Sequence, residues 1–273
     1  MSGWHELHAP AKLNLALVVG PLRDDGKHEV VTVLERLTLT DTVAVRRASE
    51  TRVAGFADDT IVRAALDGLA RIAPGAPRFE ARIEKRIPVA GGLGGGSSDA
   101  AAALALGNEL LDTPLRPDAL DALAAELGAD VPFFLHPGPQ LGTGDGTTLA
   151  PLELPRDYVV LLALPEGASK SSTGAVYSAF DHRGGELGFE TRRERLLAVL
   201  ETARDPADLA GLPPNDLASS PIADELRDLG AFRADVTGAG PVVYGLFADR
   251  TRAERAEAAV ARRGAQTRIA EPG

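Results

Sequence analysis

Apolar positions along the chain change their period several times, and each change marks an element. Residues 11–20 (AKLNLALVVG) begin as a polar–apolar alternation and become a continuous apolar run, which predicts a strand entering a core. Arg23-Asp24-Asp25-Gly26 predicts the turn that ends it. Residues 30–45, rich in Val, Thr and Leu with a break near Thr40-Asp41, predict a second strand paired with the first. Within 58–72, Ile61, Ala65, Leu66 and Leu69 recur at helical spacing, and Pro74-Gly75 closes the helix. In 78–89, Phe79, Ala81 and Ile83 alternate with charges as a half-buried strand does.

Beyond a glycine-rich stretch, residues 99–111 are dense in Ala and Leu, strong helix formers. A further helix over 117–127 has Pro117 at its start and Gly128 just past its end. The Gly/Pro/Thr-rich residues 136–148 interrupt the pattern before an apolar strand at 158–164. That interruption sets an expected domain boundary near residue 152, giving domains of 1–152 and 153–273. The second domain is expected to hold helices at 173–180, 191–203 and 252–263, and a strand at 242–247. Thr267-Arg268-Ile269 follows the last helix.

Composition narrows the function classes. With 44% hydrophobic and 25% charged residues the chain resembles ordinary globular proteins, so a sizeable core needs no metal or crosslink. A formal net charge of -10 opposes non-specific attraction to nucleic acid or anionic membrane. The expected partner is therefore a small molecule, with any phosphate held by local donors. The absence of cysteine excludes disulfides, thiolate metal sites and a cysteine nucleophile. The N-terminal residues lack a secretory pattern, and no stretch reaches the ~20 apolar residues of a membrane span, so the expectation is a cytoplasmic monomer or weak homodimer.

The candidate chemistry centres on residues 88–99, PVAGGLGGGSSD, where five of the six positions from Gly91 to Gly96 are glycine, directly before a helix. Glycines let successive N–H groups point into one concavity and let a polyanion approach without meeting a Cβ atom. The helix that follows adds unpaired first-turn donors and the positive end of its dipole. Gly91, Gly92, Leu93, Gly94, Gly95, Gly96, Ser97 and Ser98 therefore form a candidate phosphate cradle. The serine hydroxyls suit a phosphate oxygen or a Mg²⁺ ion bridging two phosphates. The alternative is a flexible turn leading into a helix capped by Ser98 or Asp99. The stretch has neither the Gly-Lys-Ser/Thr ending of a Walker loop nor the spacing of the dinucleotide fingerprint.

PVAGGLGGGSSDAAAAL resembles the second motif of the GHMP kinase superfamily, PAKLNLAL near the N-terminus resembles its first, and DVTGAGPVVYGLF (235–247) its third. Three motifs in the family's order span nearly the whole chain. The resemblance implies an α+β, two-domain GHMP kinase fold, with an N-terminal ribosomal-protein-like βαβ domain and a C-terminal ferredoxin-like α+β domain. It also implies ATP as phosphoryl donor, with Mg²⁺, and a small-molecule hydroxyl as acceptor. Lys12 and Asp130 match the family's partner lysine and catalytic aspartate. Read alone, they are a strand-start lysine and a turn aspartate in Gly-Ala-Asp-Val-Pro.

PAKLNL, DDGKHE, LGADVPFFL and Asn215-Asp216-Leu217 are most similar to the members that phosphorylate a cytidine-diphosphate-linked methylerythritol of the non-mevalonate isoprenoid route. Asn14, His28 and Tyr177 match residues that in those members contact the polyol, the cytosine ring and its face. Otherwise they are a strand-edge polar residue, a surface histidine and a core aromatic. Two positions depart from that pattern. Lys27 stands where a tyrosine stacks on cytosine, and Asp59-Thr60 replaces an Asn-Leu pair whose asparagine contacts adenine. The alternatives are a GHMP kinase for another small alcohol, or a nucleotide-binding paralogue without turnover.

Overall fold

The computed structural model describes residues 3–57, 59, 61–73, 75–168 and 172–273. Asp58, Thr60 and Pro74, which entered the expected first helix and its stop, lie outside the described residues. In chain order the elements begin with β1 (His5–Leu22), β2 (His28–Ala48), β3 (Arg52–Ala54), α1 (Ile61–Ile72) and β4 (Arg78–Glu84). Next come α2 (Gly95–Glu109), α3 (Pro117–Leu127), a 3-10 turn at Pro132–Leu135, β5 (Gln140–Thr143), β6 (Thr148–Pro151) and β7 (Val159–Leu164). The rest are α4 (Thr173–His182), α5 (Phe189–Thr202), a 3-10 turn at Pro206–Gly211, α6 (Pro221–Asp228), β8 (Arg233–Val236), β9 (Val243–Phe247), α7 (Arg250–Ala261) and β10 (Gln266–Ala270). The chain is thus mixed α+β.

It divides into two compact units. The first holds Met1–Ala11, Leu39–Val89 and Gly94–Pro137, and the second holds Lys12–Thr38, Ala90–Leu93 and Gly138–Gly273. In the first, β4 runs antiparallel to the end of β2 (Thr42 opposite Glu84 through Ala48 opposite Arg78), and β3 joins β4 in parallel. The alternation of Phe79, Ala81 and Ile83 turns those three inward, all nearly inaccessible. Val62, Ala65, Leu66 and Leu69 form the buried stripe of α1. α2 is buried on nearly every side, from Ser98 through Gly107, which its alanine-rich sequence permits because small side chains let neighbours approach closely. Gly107 is one such point, since a Cβ there would lie 2.6 Å from Leu69 Cδ1.

In the second unit β7 is central in an antiparallel sheet ordered β10-β7-β9-β8. Its continuous apolar run packs with Leu226, Val243, Phe247, Ala253 and Val260 in one core. The first half of β2 pairs with β5, Thr32 opposite Gly142, and β5 pairs with β6. Residues 136–148, expected to be irregular, therefore contain most of a hairpin, whose short strands carry too few apolar residues to show a period.

β2 runs unbroken through Thr40-Asp41. Asp41 is wholly buried there, and its carboxylate is satisfied by the Arg86 and Ile87 amides at 2.5 and 2.8 Å. α6 lacked an expectation although Ser220 caps it, Pro221 opens it and Ala223 and Leu226 are buried. β1 and β2 pair as expected. Leu69→Ala is expected to lower the unfolding free energy by about 2–5 kcal/mol, the usual range for a fully buried leucine. A urea melt showing a loss below about 1 kcal/mol would mean that α1 is not seated on Gly107.

Candidate active site

Lys12, Asn14, Gly91, Gly92 and Leu93 come together in the second unit. Lys12 and Asn14 alternate with Leu13 and Leu15 along β1, so both point to the same side of the strand, and both are nearly buried at 3% and 4% exposure. Lys12 Nζ donates to Asn14 Oδ1 at 2.5 Å, and Asn14 Nδ2 donates to Thr32 Oγ1 at 2.8 Å. The Asn14 backbone N–H donates to Thr237 Oγ1 at 3.1 Å. Ala90–Leu93 is held against this cluster by its backbone. Lys12 N–H donates to Leu93 O at 2.9 Å, and Val242 N–H donates to Gly91 O at 3.2 Å. Gly92 adopts φ 83°, and a Cβ on it would stand 2.4 Å from Thr237 O, so only glycine fits.

The third glycine motif forms the turn opposite. Thr237 N–H donates to Val242 O and Gly240 N–H to Thr237 O, both at 3.0 Å. Gly238, at φ 57°, brings its α-carbon so close that a Cβ would be 3.5 Å from Asn14 Oδ1 and 3.6 Å from Lys12 Nζ. Asn215 pins this turn by donating from Nδ2 to Val236 O at 2.9 Å and Gly238 O at 2.7 Å. Tyr244 on β9 donates to Leu15 O at 3.0 Å. Burial holds its phenol up at about 12, with Asp235 adding to the shift and Arg233 opposing it, so it stays a donor. Asp216 accepts from the Val19 amide at 2.8 Å and from Arg192 at 3.0 Å, which fixes the same strand farther along.

His28 and Tyr177 make a second cluster in this unit. His28 Nδ1 lies 2.9 Å from Gly20 O, and Nε2 lies 3.2 Å from Asp181 Oδ1. A carbonyl only accepts, so Nδ1 carries the hydrogen. Tyr177 stacks on the imidazole with ring centroids 5.1 Å apart and 23° between planes, which leaves no gap for a third ring between them. Phe180 meets the same ring edge-on at 5.7 Å. Tyr177, Phe180 and Asp181 all lie on α4, so one helix face covers His28. Lys27, at the position of the missing tyrosine, pairs with Asp145 at 2.5 Å.

The first unit holds Gly94, Gly95, Gly96, Ser97, Ser98 and Asp130. α2 starts at Gly95, earlier than the expected residue 99, with Gly94 at φ 70° as its N-cap and no side-chain cap. Its first rung is Ser98 N–H to Gly94 O at 2.9 Å, which leaves the amides of Gly95, Gly96 and Ser97 outside the helical ladder. Neither Ser98 nor Asp99 caps the helix. Ser98 Oγ is buried and has no hydrogen-bond partner. Asp130 is half-buried in the turn after α3, between Gly128, whose carbonyl takes the Val131 amide at 3.1 Å, and the wholly buried Val131 and Phe133. The 3-10 turn that follows it packs against α2.

Beside Gly95 lies a charged cluster that the hydrophobic pattern does not announce. Lys85 Nζ donates to Asp41 and, at 2.7 Å, to Asp99 Oδ2. A Cβ on Gly95 would approach Lys85 Nζ to 3.2 Å and Asp41 Oδ2 to 3.4 Å. Burial pulls the Lys85 ammonium down, but the two carboxylates outweigh it and hold it above its usual value. Burial, opposed by Lys85 and aided by Asp41, pushes Asp99 up to about 7. The available signal was a charge inside an apolar strand, Asp41, which a periodicity reading takes for a break. Asp59 is an ordinary cap, accepting from the Val62 and Arg63 amides at 3.0 and 3.1 Å.

Family models for the GHMP kinases N-terminal domain and the GHMP kinases C-terminal domain match residues 59–138 and 215–266. A 4-diphosphocytidyl-2-C-methyl-D-erythritol kinase of Nocardia farcinica is 41% identical over 93% of this chain and 87% of its own. The chain belongs to the GHMP kinase family. The kinase of the same name from Salinispora arenicola is 38% identical over 93% of this GHMP kinase and 87% of its own length. A crystal structure of 4-(cytidine 5'-diphospho)-2C-methyl-D-erythritol kinase superposes with a TM-score of 0.76 at 29% identity, over 98% of this chain and 100% of that one. Methanococcus jannaschii mevalonate kinase, 12% identical, shares the fold with a TM-score of 0.77 over 100% and 99% of the two chains. This GHMP kinase is accordingly an ATP-dependent phosphotransferase.

Gly92→Ala is expected to raise the KM for ATP about tenfold or more, because the left-handed backbone and the Thr237 carbonyl together impose strain on the order of 1–3 kcal/mol. An unchanged KM would remove the loop from nucleotide binding. Folded Asp99 binds its proton more tightly than an unfolded aspartate does, so the native state holds the extra proton between roughly pH 4 and pH 7. Stability should therefore fall as pH rises through that window and level off above it. Asp99→Asn should flatten the fall by up to ~1.4 kcal/mol per pH unit in urea melts, and identical slopes in both proteins would refute the assignment.

Proposed function

We propose that this kinase transfers the γ-phosphoryl group of ATP to the 2-hydroxyl of 4-diphosphocytidyl-2-C-methyl-D-erythritol, a step of non-mevalonate isoprenoid (terpenoid) biosynthesis. The observation that carries the catalytic part is the buried Lys12 ammonium, oriented by Asn14 and edged by the two glycine turns at Gly92 and Gly238. Phosphoryl transfer needs positioning and charge stabilisation more than covalent chemistry from the protein. In this reading the first-turn amides of α2 and the glycines ahead of it hold the triphosphate. Lys12 stabilises charge on the moving group. Asp130 takes the proton as the acceptor oxygen bonds to phosphorus and the bond to the β-phosphate oxygen breaks, releasing ADP. Asn14 contacts the polyol, and His28 with Tyr177 supports the base.

Mg²⁺ belongs to the same reading. Such an ion is carried mainly by substrate phosphates with one or two protein oxygens. Ser98 Oγ, buried and unpartnered, is suited to be one. Lys27, paired with Asp145, cannot reproduce aromatic stacking, so the base is expected to bind about tenfold more weakly than with a tyrosine there. The cellular site of action is proposed to be the cytoplasm, with a monomer or weak homodimer as the working form. No helix among the described residues is long and apolar enough to cross a membrane.

Purified protein should transfer phosphate from ATP to the cytidine diphosphate alcohol in preference to homoserine or mevalonate, and the reverse preference would move it to another branch of the family. Binding of ATP without transfer to any of them would favour a non-catalytic paralogue. Asp130→Asn should lower kcat on the order of 10²–10⁴-fold while changing ATP affinity less than about threefold. Wild-type turnover in that variant would exclude Asp130 as the base.

A further inference from the structure

A chain of hydrogen bonds that begins at a backbone carbonyl ends on the Lys12 ammonium. Ala16 O accepts from Thr32 Oγ1 at 2.8 Å. Since a carbonyl only accepts, the hydroxyl hydrogen of Thr32 is committed there, and its oxygen is left able only to accept. Asn14 therefore has to turn its NH₂ group toward Thr32, at 2.8 Å, and this directs Oδ1 at the Lys12 ammonium, at 2.5 Å. Without such a partner a carboxamide can flip and present N–H groups to a cation.

The Thr32 side chain is itself fixed. It is 4% exposed, and its methyl carbon lies where a Cβ on the facing Gly142 of β5 would be only 2.9 Å away, so the glycine makes room for that rotamer. Every member of the chain belongs to the second unit.

We infer that Thr32 is a positioning residue for phosphoryl transfer, acting through the Asn14 carboxamide to hold the Lys12 ammonium in its reactive direction. The inference rests on the reading of Lys12 as the catalytic cation. It predicts a particular pattern of losses. Thr32→Val keeps the shape and removes the hydroxyl, and should lower kcat about tenfold while changing KM for ATP less than about twofold. Thr32→Ser keeps the hydroxyl and should restore kcat to within about twofold. In an Asn14→Ala background Thr32→Val should cost nothing further, because the group it orients is gone.

Steady-state kinetics of the full chain with ATP and the cytidine diphosphate alcohol test this, with thermal melts confirming that each variant is folded. A wild-type kcat in Thr32→Val, or a tenfold loss that persists in the Asn14→Ala background, would overturn the inference. Lys12→Ala separates the two levels. If it retains wild-type turnover, the assignment of Lys12 has failed. If it is inactive while Thr32→Val is silent, only the orienting chain has failed. Should Thr32→Val not fold, the side-chain NH₂ of Asn14 in selectively ¹⁵N-labelled wild-type protein gives a second reading. Slow hydrogen exchange is expected of a donor held by Thr32, and exchange at the rate of a free amide would overturn the proposal.

Discussion

An ammonium group tolerates burial only where acceptors replace its water, and the second unit is arranged to meet that demand for Lys12. The cost of an uncompensated buried charge far exceeds that of any single neutral hydrogen bond, so the surrounding residues have little freedom. Asn14 must offer oxygen, which requires a partner for its nitrogen. The turns at Gly92 and Gly238 favour glycine, since a Cβ on Gly92 would collide with the backbone carbonyl of Thr237 and Gly238 holds a left-handed backbone at φ 57°. Asn215 in turn must hold the second turn in place. A positive charge that cannot drift is suited to a reaction whose transition state differs from its ground state mainly in charge distribution.

The first unit leaves the opening amides of α2 outside the helical ladder, which the proposed function gives to the triphosphate. α2 begins on Gly94 and receives no side-chain cap, its first turn holds no acidic residue, and Asp99 beyond that turn faces Lys85. An asparagine or aspartate at the N-cap would stabilise the helix by about 1 kcal/mol, but under the proposed function its side chain would compete with the triphosphate for the first-turn amides. In the proposed reading, local stability is forgone there in favour of the ligand.

Much of this was legible in the residues. The glycine run and the alanine-rich helix behind it form as expected, and with the charge of the whole chain they support the proposed local anion site. Other features could not be read from period or composition. α2 starts before residue 99 although glycine is a poor helix former, because Gly95 and Gly96 occupy a first turn in which Gly95 packs against Ile87 and Lys85. β5 and β6 are four residues each, too short to show a period, and β5 is placed by its pairing with β2. Asp41 and Thr32 are polar residues inside apolar strands, and only their distant partners explain them. His28 read as a surface residue yet is roofed by α4, since contacts between positions 28 and 177 leave no trace in a local pattern.

The bond from Lys85 to Asp99 has a topological effect as well as an electrostatic one. These residues flank the glycine-rich stretch on either side, and Lys85 joins Asp99 to the wholly buried carboxylate of Asp41 on β2. The intervening segment is in effect a noose of set circumference, knotted at a salt cluster. Lengthening or shortening it by even one residue has to be absorbed within the noose, because its ends cannot slide. Variation among relatives should therefore exchange side chains there and leave the residue count alone.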